Sequence, residues 1–286
     1  MSHSVVVGID GSAQSRAAAE WAATEACRSG RRLRLVHVGA AENGTRAQPE
    51  SAEDCLPPSV LSVRDRIAAA LPGLELSCVR MGGSPPYALA AAGEREGLLV
   101  LGSRGLGGFT GMLVGSVGLH VAAHALCPVV LVRADPDGGA GAAGDVVVGV
   151  DGDRLGDEVL AFAFEQAACR GATLRAVESR ALPTGPYVTR APLDQCEIRD
   201  SLAEAELVRL QDALACWHDK FPEVRVETEI TAHPAGRALV EASRAASLVV
   251  VGRRTPALRA AVHRLGTVAH AVLHHAHSPV AVVPHD

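Results

Sequence analysis

The chain repeats itself once, and this duplication limits its possible folds more than any other feature. Three segments recur in the same order and at nearly constant spacing. The matched pairs are VVVGIDGS and VVVGVDGD (5–12, 146–153), LLVLGSRG and LVVVGRRT (98–105, 248–255), and CPVVLVR and SPVAVVP (127–133, 278–284). Two copies are too few for a solenoid. We therefore predict one duplicated domain, at 1–134 and 146–286, joined by a Gly-rich linker at 135–145.

Each half alternates short β-branched runs with helical segments. Residues 5–9 form a continuous apolar run, which is typical of a strand buried on both faces. Gly30 follows a helical pattern and is expected to end that helix. In the first half the pattern predicts strands at 5–9, 33–38, 74–80, 98–101 and 129–133, and helices at 14–29, 59–71, 85–96 and 116–125. This alternation predicts an α/β fold with a parallel sheet covered on both faces.

Composition excludes several classes of partner. Apolar residues make up 48% of the chain, enough for a large core, and the net charge is −5. That charge disfavours nucleic acid and anionic membranes, and 3% aromatic residues disfavour a base-stacking surface. No apolar run is long enough to span a bilayer. Seven cysteines without C-x-x-C spacing, and no basic leader before residue 5, predict a cytoplasmic protein.

Two turns follow predicted strands at the edge of the sheet where ligands bind in such folds. Asp10, Gly11 and Ser12 follow the first strand, and a Gly-rich loop from Gly102 to Ser116 follows the fourth. Free backbone N–H groups in such a loop can hold an anion, and the positive end of the next helix adds to that attraction. Ser116 is expected to be the N-cap of this helix. Arg104 can add a charge-assisted hydrogen bond to phosphate.

The spacing Gly102-x2-Gly105-x9-Gly115-Ser116, together with Val-Gly-Ile-Asp10-Gly-Ser, resembles the ATP-binding branch of the universal stress protein family. The resemblance covers nearly the whole chain as two tandem domains. It implies five-stranded parallel sheets of the Rossmann-like, adenine nucleotide alpha hydrolase-like type, with strand order 3-2-1-4-5. It further implies ATP as the ligand, with or without Mg²⁺, and cyclic AMP as the alternative.

The resemblance also assigns roles to individual residues. Asp10 is expected to accept a hydrogen bond from the adenine amino group, and Val38 to pack on adenine. The remaining residues are expected to line the ribose and phosphates. The full set is Asp10, Gly11, Ser12, Val38, Leu101, Gly102, Arg104, Gly105, Gly115, Ser116 and Val117.

The fifth strands of the two halves are predicted to be sheet edges. Exposed apolar edges must be paired or covered. The resemblance implies that the two halves pack together here about a pseudo-two-fold axis, and that two chains then form a homodimer.

The second copy of the motif is degenerate. Thr255 stands where Gly105 would approach phosphate, and Pro256 removes a backbone donor. Ser179 stands where Val38 would cover adenine. We therefore predict one competent ATP site per chain, in the first half, although the arginines at 253, 254 and 259 could still attract phosphate.

The chain lacks an evident catalytic constellation. Lys220 is its only lysine, which excludes a P-loop, and no nucleophile stands beside a general base. Two histidine pairs at helical spacing, His120/His124 and His270/His274, lack further ligands, so we expect no metal site. The expected function is ATP binding as a regulatory, stress-response ligand. A nucleotide-free interaction module and a slow ATP hydrolase are the alternatives.

Overall fold

The computed structural model describes residues 4–39, 49–50, 56–103, 114–134, 144–152, 156–180, 194–255 and 265–286, with the backbone alone at 49–50 and 194–206. This part of the chain contains eleven strands and eight helices. The strands are β1 (Ser4–Gly8), β2 (Arg32–Gly39), β3 (Pro49–Glu50), β4 (Leu76–Gly82), β5 (Leu98–Gly102), β6 (Val129–Val132), β7 (Asp145–Val150), β8 (Leu174–Ser179), β9 (Val226–Thr231), β10 (Ala246–Arg254) and β11 (Val280–His285). The helices are α1 (Ala13–Ser29), α2 (Pro58–Ala70), α3 (Pro85–Glu96), α4 (Ser116–His124), α5 (Asp157–Arg170), α6 (Asp194–Lys220), α7 (Ala235–Ala242) and α8 (Thr267–His275).

The helix boundaries follow local sequence signals. The side chain of Ser12 caps α1 by accepting a hydrogen bond from the Ser15 N–H at 3.1 Å. Gly30 and Gly171 end α1 and α5 in the left-handed conformation, with φ of 63° and 58°. The strand predicted at 74–80 begins two residues later than expected. The reason is a turn after α2, in which the Leu74 N–H donates to the Leu71 carbonyl.

All strands belong to one sheet, in the order β3-β4-β2-β1-β5-β6-β11-β10-β7-β8-β9. The five main strands of the first half follow the order 3-2-1-4-5 that the family resemblance implied. The second half repeats that order from the opposite end. Within each half the main strands pair in parallel, and only the two-residue β3 pairs antiparallel, to β4.

The two halves meet through their fifth strands, as predicted. β6 and β11 pair antiparallel, with Leu131 opposite Val280 and Val129 opposite Val282. Because the strands of the two halves run in opposite directions, their carboxyl ends lie at opposite edges of the shared sheet. Any ligand sites at those ends must therefore face away from each other.

Helices cover both faces of the sheet and bury two continuous cores. One core lies beneath α1, α2, α5 and α6, and the other beneath α3, α4, α7 and α8. Each contains residues from both halves, so the duplicated units share their hydrophobic interior across the β6–β11 seam. Such extensive apolar burial strongly favours one rigid arrangement of the halves.

A buried polar cluster fixes α1 against α5 above the seam. The carboxylate of Glu25, 1% exposed, accepts hydrogen bonds from Gln166 Nε2 at 3.0 Å and Arg170 Nη2 at 2.7 Å. Burial lowers the pKa of Arg170, and Glu25 opposes that shift. Glu25 precedes Gly30 by five residues, and Gln166 precedes Gly171 by the same number, so the two are equivalent positions of α1 and α5. Because equivalent residues contact each other here, the pseudo-two-fold axis passes between them.

In the described residues, no helix is both long and apolar enough to cross a membrane.

Candidate functional site

The first cleft begins at the turn between β1 and α1. The Ser12 N–H donates to Asp10 Oδ1 at 2.9 Å, so the carboxylate of Asp10 orders the turn that it belongs to. Gly11 has a φ of +86°, which L side chains rarely adopt. A Cβ there would also lie 2.7 Å from Ser59 Oγ of α2. The Asp-Gly-Ser sequence is thus required by local geometry at the end of β1.

The end of β5 lies directly against the start of α1. A Cβ on Gly102 would come within 2.7 Å of the carbonyl carbon of Gln14 and 2.9 Å of the Ser15 nitrogen. Both contacts are with backbone, which cannot rotate away. Only glycine at 102 therefore lets the amino end of α1 pack this closely at the point where the strand order reverses, between β1 and β5.

The loop after β5 is closed by a backbone hydrogen bond. The Gly115 N–H donates to the Ser103 carbonyl at 2.7 Å, and the buried Ser103 donates its own N–H to Val132. These contacts hold the amino end of α4 beside the carboxyl ends of β5 and β6. Predicted site residues Arg104 and Gly105 lie outside the described residues.

The prediction that Ser116 caps α4 is wrong. Gly115 is the N-cap, with extended φ and ψ of −78° and 159°, and Ser116 is the first helical residue. The backbone changes from extended at Gly115 to helical at Ser116, and no side chain forms a capping hydrogen bond there. The first N–H groups of a helix have no partner within it, so this amino end can still receive an anion.

The remaining predicted residues lie on the neighbouring strands. Val38, near the end of β2, packs against the core beneath α3 and α4, and Leu101 is buried at the end of β5. His37 Nδ1 contacts the Ile9 carbonyl at 2.9 Å and ties β2 to the end of β1. The structure thus brings Asp10, Val38, Leu101 and Gly102 to one edge of the sheet, with Ser116 and Val117 on the adjoining helix.

The second cleft contains a cavity of about 560 Å³ at the corresponding edge of the second half. Asp151, Ser179, Gly252 and Thr267 line it, and these are the counterparts of Asp10, Val38, Gly102 and Ser116. Apolar side chains of β8, α5 and α7 complete its walls. The duplicated scaffold therefore retains a cavity where the motif has diverged.

Helix α5 begins three residues later than α1 when equivalent positions are compared. The two helices end at equivalent glycines, but α5 has 14 residues and α1 has 17. The missing turn is at the amino end, where α5 starts without a side-chain cap. Asp157 and Glu158 lie in its first turn, whereas the first turn of α1 has no acidic residue.

His285 occupies the space next to this shortened helix. β10 and β11 stay paired for two residues beyond Gly252, so that Arg254 lies opposite His285. A Cβ on Gly252 would lie 2.8 Å from His285 Nε2, and one on Gly156 would lie 3.0 Å from its Cγ. The imidazole thus covers the strand end that the backbone of α1 covers in the first half. Sequence reasoning missed His285 because only strand pairing brings it here.

Ion pairs surround the first-strand turn of the second half. Arg254 lies 3.7 Å from the exposed carboxylate of Asp151. The buried Glu178 carboxylate contacts Arg180 at 2.6 Å and Arg209 at 3.1 Å, and Arg209 also donates to the Gly152 carbonyl. No sequence pattern pointed to Arg209, which reaches the turn from α6.

An arginine from each half contacts the carboxyl end of the other half's last helix. Arg133 donates to the carbonyls of Leu273 and His274, and Arg253 donates to the Ala125 carbonyl. Cations are favourable at helix carboxyl ends. Arg253 is 2% exposed, and its burial lowers its pKa. Burial also raises the pKa of the nearby Cys127 thiol to about 12, which makes it unreactive.

The predicted histidine pairs form ring contacts in both halves. His120 and His124 stack with ring centroids 4.2 Å apart, and His270 and His274 lie 4.4 Å apart. Within the described ranges, no group of three or more His, Cys, Asp or Glu side chains could hold a metal ion. Each pair contacts its own helix and neighbouring rings, such as Tyr87 beside His120.

Comparisons with known proteins agree with this architecture. The model of the universal stress protein family matches residues 1–133 and 144–284. Universal stress protein Rv2005c of Mycobacterium tuberculosis is 32% identical, over 98% of this chain and 96% of that protein. The solved universal stress protein of Archaeoglobus fulgidus covers 99% of both chains, with 17% identity and a TM-score of 0.65. A universal stress protein solved in complex with cAMP aligns with 47% of this chain at 26% identity and a TM-score of 0.37.

Proposed function

Because this chain belongs to the universal stress protein family, we propose that its first cleft binds an adenine nucleotide, ATP, as a regulatory ligand. One observation carries the proposal. The Asp10–Ser12 turn and the amino end of α4 lie at the same reversal of strand order, and the Ser103–Gly115 hydrogen bond holds them in place. That position is where open α/β sheets bind nucleotides.

The cleft offers a distinct environment for each part of the nucleotide. A carboxylate has about four acceptor positions, so Asp10 can accept from the adenine amino group while it holds the Ser12 N–H. Val38 supplies an apolar surface for the base. The amino end of α4, at Ser116 and Val117, supplies N–H groups and a positive dipole for phosphate. When Mg²⁺ accompanies ATP, it neutralises phosphate charge.

The proposed role is reversible binding rather than turnover. The described part of the cleft joins a turn, strand ends and a helix end, and the backbone contacts at Gly102 and Gly115 fix its shape. Binding to the folded state stabilises it by an amount that grows with the logarithm of ligand concentration above Kd, so occupancy alone can report the nucleotide level. Full-chain protein incubated with ATP should release no ADP above the buffer control.

The test is calorimetry on the full chain with a matched pair of variants. Asp10→Asn keeps an oxygen for the Ser12 N–H but replaces the second acceptor with a donor that opposes the adenine amino group. It should weaken ATP binding by about 1.5–3 kcal/mol, the value of a hydrogen bond to a charged group. GTP binding should not weaken, because the new amide N–H₂ can donate to the guanine O6. Wild-type protein should bind one ATP per chain.

Asp151→Asn is the control, because it makes the same change at the equivalent position of the second half. It should leave ATP affinity and stoichiometry as in the wild type. Equal losses from the two variants, or two equivalent ATP molecules per chain, would contradict a single site in the first half.

We further propose that the protein acts in the cytoplasm as a homodimer. Its dimer interface must differ from the seam, because the edges of β6 and β11 are already paired with each other. Sedimentation equilibrium of the full chain should give twice the 29.5 kDa chain mass, and a single-chain mass would refute the homodimer.

A further inference from the structure

The cavity of the second cleft has a ligand-sized volume and two different linings. At about 560 Å³ it lies within the range of small-molecule sites. Val159, Leu160, Val177 and Leu239 form an apolar wall, where β8 faces α5 and α7. Arg253, Arg254 and the amino end of α8 supply its polar lining. Such a cavity suits a molecule with one apolar part and one polar part.

Several features of this cleft oppose a nucleoside triphosphate. The Asp151 carboxylate, the counterpart of the proposed adenine reader, pairs with Arg254. The Ser179 hydroxyl, in the place of Val38, is polar and donates to the His233 carbonyl at 2.7 Å. Asp157 and Glu158 place negative charge in the first turn of α5, directly after Gly156, which lies against the His285 ring. A chain of several phosphates would meet both obstruction and repulsion.

The polar side of the cavity nevertheless favours a single anionic group. Arg253 is 2% exposed and lines the cavity, and its Nη2 donates to Ala125. Its Nε and Nη1 have no hydrogen-bond partner among the residues that the structure describes. Buried donors without acceptors are costly. Helix α8 adds a second attraction, because its N-cap, Gly266, leaves the amino end without a side-chain acceptor.

We propose that the second cleft binds a small organic monoanion with an apolar tail, the anionic group lying between Arg253 and the amino end of α8 and the tail lying along the apolar wall. This site is independent of the ATP site proposed for the first half. The two clefts open at opposite edges of the sheet, so one molecule cannot occupy both.

The experiment measures the binding of hexanoate, used as the probe, to the full chain by saturation-transfer NMR. Hexanoate should bind saturably. 1-Hexanol, with the same tail and no charge, and inorganic phosphate, with charge and no tail, should each bind about tenfold more weakly or worse, since each keeps one of the two attractions. Equal binding of hexanol and hexanoate would overturn the anionic part of the proposal.

Thr267→Glu tests the location. A carboxylate in the first turn of α8 stabilises the helix, so the variant should fold. Because the carboxylate repels an anion at this position, the affinity for hexanoate should fall by about tenfold or more. Ser116→Glu makes the same change in α4 and should leave hexanoate affinity unchanged. Arg253→Gln should also weaken hexanoate.

Three results would overturn the proposal: no saturable hexanoate binding, hexanoate affinity unaffected by Thr267→Glu, or stoichiometric ATP binding that survives in the Ser116→Glu variant and is lost in the Thr267→Glu variant. The third result would show that the second cleft accepts a nucleotide.

Discussion

The two clefts have the same strand order beneath them but differ at almost every element end. In the first, α1 starts early and its backbone packs on Gly102. In the second, α5 starts a turn later, two strands run further, and the His285 ring packs on Gly252 instead. The five main strands of each half follow the same order. Shifted element ends, together with substitutions such as Ser179 in the place of Val38, therefore change which groups face the cleft while the strand order stays the same.

The same contrast exists at the seam, where equivalent positions carry different residues. Glu25 and Gln166 meet at the pseudo-two-fold axis, and Arg170 joins the pair from one side only. In a symmetric dimer of identical chains, two glutamates would meet here and repel each other. Duplication within one chain lets glutamate face glutamine instead, and the single negative charge of Glu25 is then balanced by Arg170.

The largest expected effect on stability comes from removing the buried ion pair between Glu25 and Arg170. Glu25→Ala leaves the Arg170 guanidinium, whose side chain is 4% exposed, buried without its carboxylate. The free energy of unfolding should fall by about 3–5 kcal/mol, as expected when one partner of a buried ion pair is removed. Urea denaturation of the full chain measures this.

Gln166→Ala is the matched variant on the other side of the axis. It leaves the Glu25–Arg170 ion pair intact but removes hydrogen bonds between the Gln166 amide and these two charged groups. The loss should therefore be smaller than for Glu25→Ala, about 1.5–3 kcal/mol, the value of a hydrogen bond to a charged group. Similar losses in the two variants would show that the ion pair does not dominate the cluster.

The next largest effect contrasts the glycines at the two strand ends. In Gly102→Ala the new methyl meets the backbone of Gln14 and Ser15, so α1 must shift. Overpacking of this kind costs about 1–3 kcal/mol, and ATP affinity should fall with it. In Gly252→Ala the methyl meets the His285 ring, which can rotate, so stability should change by less than about 1 kcal/mol.

Thermal unfolding of both variants, with calorimetry for ATP, checks this contrast. A larger loss for Gly252→Ala than for Gly102→Ala would mean that the His285 ring is held more firmly than the amino end of α1.

The smallest expected effect is a dependence of stability on pH. Burial, and then the neighbouring His124, lower the pKa of His120. Burial, and then His270, His275 and Arg133, lower that of His274. The unfolded chain therefore binds protons more tightly than the folded chain. Stability should be complete above a pH of about 6.5, the ordinary pKa of histidine, and should fall as the pH drops below it.

Substitution by glutamine separates the two halves in this respect. His274→Gln should flatten the dependence of melting temperature on pH more than His120→Gln does, because more cationic neighbours surround His274. Identical curves for the two variants would argue against a contribution from Arg133 and His275.

Local patterns in the sequence were sufficient to predict the duplicated fold, and tertiary contacts account for what they did not predict. The β-branched runs and the stop at Gly30 specify elements through neighbouring residues, and these predictions are confirmed. The N-cap prediction at Ser116 was wrong because residue type alone does not fix where the backbone turns helical. The Glu25 cluster and His285 depend on pairing between distant segments, which no local pattern reveals.

The roles assigned to Asp10 and Val38 stay predictions, and so does the existence of one competent ATP site. The structure places both residues at the edge of the sheet where the resemblance requires them.

The antiparallel seam also has a consequence for biosynthesis. β6 pairs with a strand that begins at Val280, so the ribosome must add about 150 more residues before that partner exists. Until then the N-terminal half presents an apolar strand with unpaired backbone groups. Two nascent chains on one message can pair these edges with each other. Rapid folding of the second half would limit such mispairing, because it supplies β11 as the partner of β6.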